Sequence, residues 1–162
     1  MSFKLFPFAN LAGYSSVAHA TIGKDSGRHG DRIPGIWLFQ NTRLYICFST
    51  NANANNCFLA KTTLPLLKNS TIVVQQIQSP DNYQYYFQVD VDGKRIHNTL
   101  NEKPLVFNDV TYYASDPWYN PAKAILTDFD LVTYKHKGNY YKKNFKGNLL
   151  KNNYIYILYL FL

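Results

Sequence analysis

A chain of 162 residues with 17% aromatic side chains and two cysteines is long enough to bury a core as one domain without metal or disulfide staples. Its fourteen tyrosines and eleven phenylalanines favour pleated, half-buried surfaces over helices. The formal charge of +7 is uneven: six of the seventeen basic residues (Lys135, Lys137, Lys142, Lys143, Lys146 and Lys151) share a final segment without Asp or Glu. The near-neutral body argues against a nucleic-acid binder, which needs basic and aromatic residues interleaved on the folded part.

In chain order, the N-terminus offers Lys4, the apolar-leaning run LFPFANLAGYSSV and then Ala18-His19-Ala20. Pro7, Asn10, Gly13, Tyr14 and two serines interrupt that run, so it reads as a strand opening the fold and not as a convincing signal peptide. Further strands are expected at 17–22, 33–39, 43–49, 57–60, 71–78, 83–91, 94–98, 106–114 and 125–134. Turn chemistry separates them at 23–30, 51–56, 79–82, Asp92-Gly93 and 115–121. The clearest stretch is YQYYFQVDVDGKRIHN, where Tyr83, Tyr85, Phe87, Val89 and Val91 alternate with Gln84, Gln88, Asp90 and Asp92 up to Asp92-Gly93. That is the pattern of a half-buried strand, a tight turn and a return strand, with Tyr85, Phe87 and Val89 facing the core. No window carries a convincing helical period and no segment repeats, so the body reads as an all-β, antiparallel sandwich or barrel.

Cys47 and Cys57 flank a polar, turn-rich centre, NANAN. If the flanking strands pair about that turn, the cysteines fall nearly opposite each other and a cross-strand disulfide is geometrically possible; two unpaired thiols in a reducing compartment are the alternative. After Tyr134 the composition shifts to Lys, Asn, Tyr, Ile, Phe and Leu, so 1–134 is read as the folded domain and 135–162 as a poorly structured basic tail outside it. The terminal apolar run at 154–162 is too short for a membrane-spanning helix, which takes about twenty such residues.

Catalytic patterns are sparse. Glu102 is the single glutamate, whereas retaining glycosidases need two carboxyls facing each other across the scissile bond. Asp90 and Asp92, and likewise Asp128 and Asp130, lie two apart and are expected on one solvated strand face. His19, His29, His97 and His136 are scattered, without ligand spacing, and read as surface or strand-face residues. There is no Gly-x-Ser-x-Gly elbow, and Gly23, Gly27 and Gly30 lack the Lys-Ser/Thr ending of a phosphate loop. The strongest candidate for a ligand-binding loop is Asp116-Pro117-Trp118-Tyr119-Asn120-Pro121. Trp118 and Tyr119 offer faces for sugars, and Asp116 and Asn120 offer hydrogen bonds to hydroxyls; an inward-folded Trp118 anchoring the loop is the alternative. Trp37 reads as core, with Asp31 and Arg32 nearby as a local ion pair.

His19 to Thr21, Gly30-Asp31-Arg32-Ile33-Pro34-Gly35-Ile36-Trp37, Leu44 to Ile46, Leu64-Pro65-Leu66, Ile72 to Gln76, Asp92-Gly93-Lys94 and Val110 to Trp118 together resemble the laminin G-like branch of the concanavalin A-like lectin/glucanase superfamily. The resemblance covers about 16–134. It implies a two-sheet jelly-roll β-sandwich that binds glycan or protein ligands as part of an extracellular or cell-surface protein. Calcium is implied by the resemblance only, and no pair of loop acids matches the family's ligands. Where such sequences commonly place Trp before the strand equivalent to 72–76, this chain has Asn69-Ser70. The expectation is thus a non-catalytic, lectin-like recognition module with no nucleic acid and no membrane span. A structural domain of a larger receptor, or a glycan-active hydrolase, is the alternative.

Overall fold

The computed structural model describes residues 1–134 and 140–142. The described residues contain no α-helix, and hence none long and apolar enough to cross a membrane. One five-stranded sheet is built from β1 (Ser2–Pro7), β6 (Ser70–Gln78), β7 (Tyr85–Val91), β8 (Lys94–Asn101) and β10 (Ala124–Asp130), in the order β10-β1-β6-β7-β8. The other contains β2 (Ser15–Thr21), β3 (Gly35–Phe39), β4 (Arg43–Thr50), β5 (Asn53–Thr63) and β9 (Thr111–Ala114), in the order β5-β4-β3-β2-β9. Every ladder in both sheets is antiparallel. A small separate ladder joins β11 (Val132–Tyr134) to β12 (Tyr140–Lys142). The rest of the expected tail lies outside the described residues, as does His136.

The two sheets enclose one apolar layer. Phe3 and Leu5 of β1, Ile72 and Val74 of β6, and Phe87 and Val89 of β7 meet Ala18 of β2, Ile36 and Leu38 of β3, and Leu44 and Ile46 of β4. Each pair lies two residues apart on its strand, because side chains alternate across a sheet and only every second position reaches the interior. Phe87 is fully buried and stacks on Phe48 of the opposite sheet at 4.7 Å between centroids.

The 83–98 hairpin forms as its alternation requires, with Asp92 (φ 51°) and Gly93 (φ 77°) both in the left-handed region of the tight turn. Asp92 Oδ1 accepts from the Thr71 amide at 2.7 Å, which ties the turn to β6. Tyr83 departs from the expected strand: it is 76% exposed at positive φ, outside β7, and Tyr85 is only half-buried. The expected strand at 106–114 shrinks to Thr111–Ala114. Asp128 sits at positive φ, where β10 carries an extra residue against β1, and pairs with Lys4 at 2.8 Å. Asp92 in its turn and Asp128 at its bulge therefore leave the regular strand faces expected for the two aspartate pairs.

Cys47 and Cys57 stand directly opposite in the β4–β5 ladder and form a disulfide. The turn between them is tighter than 51–56: Asn51 and Ala52 occupy the left-handed positions and β5 begins at Asn53. Asn51 also ties the two sheets together, since its amide donates to Asn101 Oδ1 at 3.0 Å and its side chain donates to the Leu100 carbonyl at 2.9 Å.

Replacing Phe87 by Ala removes a large ring from the middle of this layer and is expected to cost about 3 to 5 kcal/mol of unfolding free energy in urea titrations. A loss below about 1 kcal/mol, the scale of a surface substitution, would place its ring elsewhere.

His97 of β8 stacks on Phe58 at 4.3 Å and meets Phe87 edge-on, and burial among these groups holds its pKa below the ordinary 6.5. With the folded value depressed, the unfolded chain binds more protons as the pH falls below about 6.5, so His97 removes stability on acidification. Unfolding midpoints measured from pH 7.5 to 5 should fall less steeply in His97→Phe than in the parent; identical slopes would show that His97 does not contribute.

Candidate functional site

The side chains of the second sheet that point away from the sandwich interior form a further packed layer. His19 of β2, Trp37 of β3, Tyr45 of β4 and Tyr113 of β9 occupy this outer face, with His19 opposite Gly35 and Tyr113, and Trp37 opposite Tyr45. Trp37 is 2% exposed, as a core residue should be, yet it belongs to this outer layer and not to the layer between the sheets. Gly35, two residues earlier on the same face, makes room for it: a Cβ there would lie 2.1 Å from the indole.

Two loops cover the face, and His19 joins them. Its Nδ1 lies 2.9 Å from Asp116 Oδ2 and its Nε2 lies 2.6 Å from the Asp31 carbonyl, with both partners buried. A carbonyl only accepts, so Nε2 donates to the Asp31 oxygen. The rings of Trp37 and Trp118 contact the imidazole edge-on, at 5.4 and 5.3 Å. His19 is 0% exposed, so of the surface or strand-face places expected for the histidines it takes a strand face, one that the loops bury.

Asp116 also organises its own loop. Its Oδ1 accepts from the amides of Trp118 (3.1 Å) and Tyr119 (3.0 Å), and its amide donates to Ser16 Oγ (2.9 Å). Asp31 does the same for the 23–31 loop, accepting from the amides of Lys24, Ser26 and Arg28 and from the Ser26 hydroxyl. Burial alone would raise its pKa, but the Ser26 hydroxyl and the three amides outweigh it and hold the carboxyl below the ordinary range. Arg32 therefore does not pair with Asp31 as the sequence suggested. Its Nε pairs with Asp25, its Nη1 donates to Asn55 Oδ1 at 3.0 Å, and its guanidinium lies 5.2 Å over the Trp37 ring.

Between the two loops a cavity of about 180 Å³ opens onto the surface, lined by Tyr14, Arg32, Trp37, Tyr45 and Tyr119. Burial and the proximity of Tyr14 raise the pKa of Tyr45, while burial and a hydrogen bond to Asp25 raise that of Tyr119. At neutral pH both phenols keep their protons, that of Tyr119 being donated to Asp25. Burial acts to lower the Arg32 pKa, but its bond to Asp25 prevails and raises it, so the guanidinium stays charged.

Of the ligand-binding residues expected from the sequence, the structure brings only Tyr119 into this cavity, with its ring 5.5 Å from Trp37. Asp116 is buried and spends its oxygens on His19 and the loop amides. Trp118 is 38% exposed and packs edge-on against His19 and Tyr113, outside the cavity lining. Asn120 is exposed, and its carbonyl accepts from the Ser16 amide at 2.8 Å. Tyr14, Arg32, Trp37 and Tyr45 were not singled out for binding; the Gly35-Trp37 spacing was the available signal, because a glycine two residues from a tryptophan shares its strand face.

Among the described residues no three His, Cys, Asp or Glu side chains gather to hold a metal ion. Asp25 and Asp31, the acids of the 23–31 loop, are committed to Arg32 and to the loop amides, so this donor set does not fit calcium. No protein-family model, curated protein or solved structure matches the chain.

Asp116→Ala would leave the buried His19 ring without its partner and two amides uncapped, and is expected to cost about 3 to 5 kcal/mol in urea unfolding. Asp116→Asn keeps an acceptor for the amides and should cost less. A loss within about 0.5 kcal/mol for Asp116→Ala would show that the junction does not hold the loops.

Proposed function

We propose that this chain is a non-catalytic recognition module that binds glycan or protein ligands through the outer face of its second sheet. The observation that carries this reading is the aromatic cavity of Tyr14, Trp37, Tyr45 and Tyr119 around Arg32, held by two internally bonded loops. Aromatic rings around a cavity with a few fixed donors suit ligands with both apolar faces and hydroxyl or amide groups. Two antiparallel five-stranded sheets are compatible with the jelly-roll, laminin G-like architecture that the sequence resembles, and we adopt that architecture here. The Cys47–Cys57 disulfide supports placement in an oxidising, extracellular setting, where such bonds persist. We take the module to be part of a larger adhesion-type protein.

An array of immobilised glycans, probed with the protein at low and at moderate salt, tests the reading. Binding is expected to survive moderate salt, because contacts made by aromatic rings are not screened. It should weaken by about tenfold or more in Tyr119→Ala, the usual scale for truncating a central aromatic contact. Binding that vanishes with salt, or that ignores Tyr119→Ala while the fold is intact, would assign the interaction to nonspecific charge or to another surface.

A further inference from the structure

Asn69-Ser70-Thr71 is the single Asn-x-Ser/Thr tripeptide in the chain, and its middle residue is not proline. Such a tripeptide accepts N-linked glycan where the asparagine stands on the surface of a protein that passes through the secretory pathway. Here it falls where the loop leaving β5 enters β6. Ser70, the first residue of β6, is 1% exposed and turns inward, so alternation leaves its neighbours Asn69 and Thr71 on the outer side, and both are exposed. The Thr71 amide, bonded to Asp92 Oδ1 at 2.7 Å, fixes the strand at this point.

The Asn69 side chain is also uncommitted, with no hydrogen-bond partner among the described residues. Asn51, Asn55, Asn56 and Asn101, by contrast, each donate a side-chain N–H to another group of the fold. A substituent on one of those amides would break a bond already made; on Asn69 Nδ2 it breaks none. The Cys47–Cys57 disulfide is an independent sign of an oxidising compartment, such as the one in which these glycans are attached. None of the three residues lines the cavity, so the modification does not occupy the surface assigned above to recognition.

We infer that Asn69 Nδ2 carries an N-linked glycan, an inference that rests on the oxidising, extracellular placement proposed above. In the transfer, Nδ2 bonds to the anomeric carbon of a lipid-pyrophosphate-linked oligosaccharide. The bond from that carbon to the pyrophosphate oxygen breaks, the lipid pyrophosphate leaves with the electron pair, and the amide gives up one proton. The oligosaccharide donor and its transferase are those of the secretory pathway.

Expression of the full chain behind an appended secretion signal in cultured animal cells tests this, on protein pooled from cells and medium. Peptide mass and gel mobility are compared before and after treatment with an amidase that releases N-linked glycans, and thiol alkylation reports the Cys47–Cys57 bond. One glycan is expected, its release converting Asn69 to aspartate. It should be lost completely in Asn69→Gln and in Thr71→Ala and retained in Thr71→Ser, which keeps the hydroxyl. The glycosylated and released forms should unfold at the same temperature, because the acceptor is exposed and unbonded. A chain with the disulfide but without the glycan, a glycan that persists in Asn69→Gln, or a glycosylated form that unfolds earlier than the released one would overturn the inference. A chain with neither disulfide nor glycan would overturn the oxidising placement as well.

Discussion

His19 sends both ring nitrogens to oxygen atoms on two different loops, and the outer face of the second sheet depends on that junction. On one side it holds the Asp31 carbonyl, whose own carboxylate gathers the 23–31 loop; on the other it holds Asp116, which orders the amides leading to Trp118 and Tyr119. A polar group in so dry a place is tolerable only when every donor meets an acceptor, and here both nitrogens do. The junction thereby fixes where Arg32 and Tyr119, one from each loop, stand relative to Trp37.

The second sheet is consequently packed on both faces, which is unusual for an antiparallel sheet with one face free to meet water. Its inward face contributes Ile36, Leu38, Leu44 and Ile46 to the layer between the sheets. Its outward face carries Trp37 over Gly35, with Tyr45 and Tyr14 alongside. The Cys47–Cys57 bond lies beside this layer, with Arg32 Nη1 3.8 Å from Cys47 Sγ, so the crosslinked strands and the loop cation form one connected surface.

Chemically, the cavity is rich in donors and poor in net charge. Tyr45 and Tyr119 keep their protons because burial and nearby groups oppose ionisation, and Arg32 stays charged because Asp25 stands against it. The loop carboxylates are committed: Asp116 to His19, Asp31 to the loop amides and Asp25 to Arg32.

Periodicity by itself determined the clearest strands, though not every boundary. The alternation through Phe87 and Val89 and the Asp92-Gly93 turn specify a hairpin and its inward face, because in a strand the side-chain period is two whatever the surroundings. It also placed Cys47 and Cys57 on strands able to meet across a turn. Tyr119, which lines the cavity, was legible as a candidate because an aromatic in a Pro- and Asn-rich loop stands out locally. The remainder of the cavity was decided by tertiary structure. Tyr14, Arg32, Trp37 and Tyr45 come from separate segments and converge only when β2, β3 and β4 align and two loops fold back over them. The same holds for His19, whose partners lie 12 and 97 residues away. Alternation shows that a side chain shares a face with its strand neighbours; it carries no information about which distant loop will cover that face, because that depends on how the strands are ordered and connected in space.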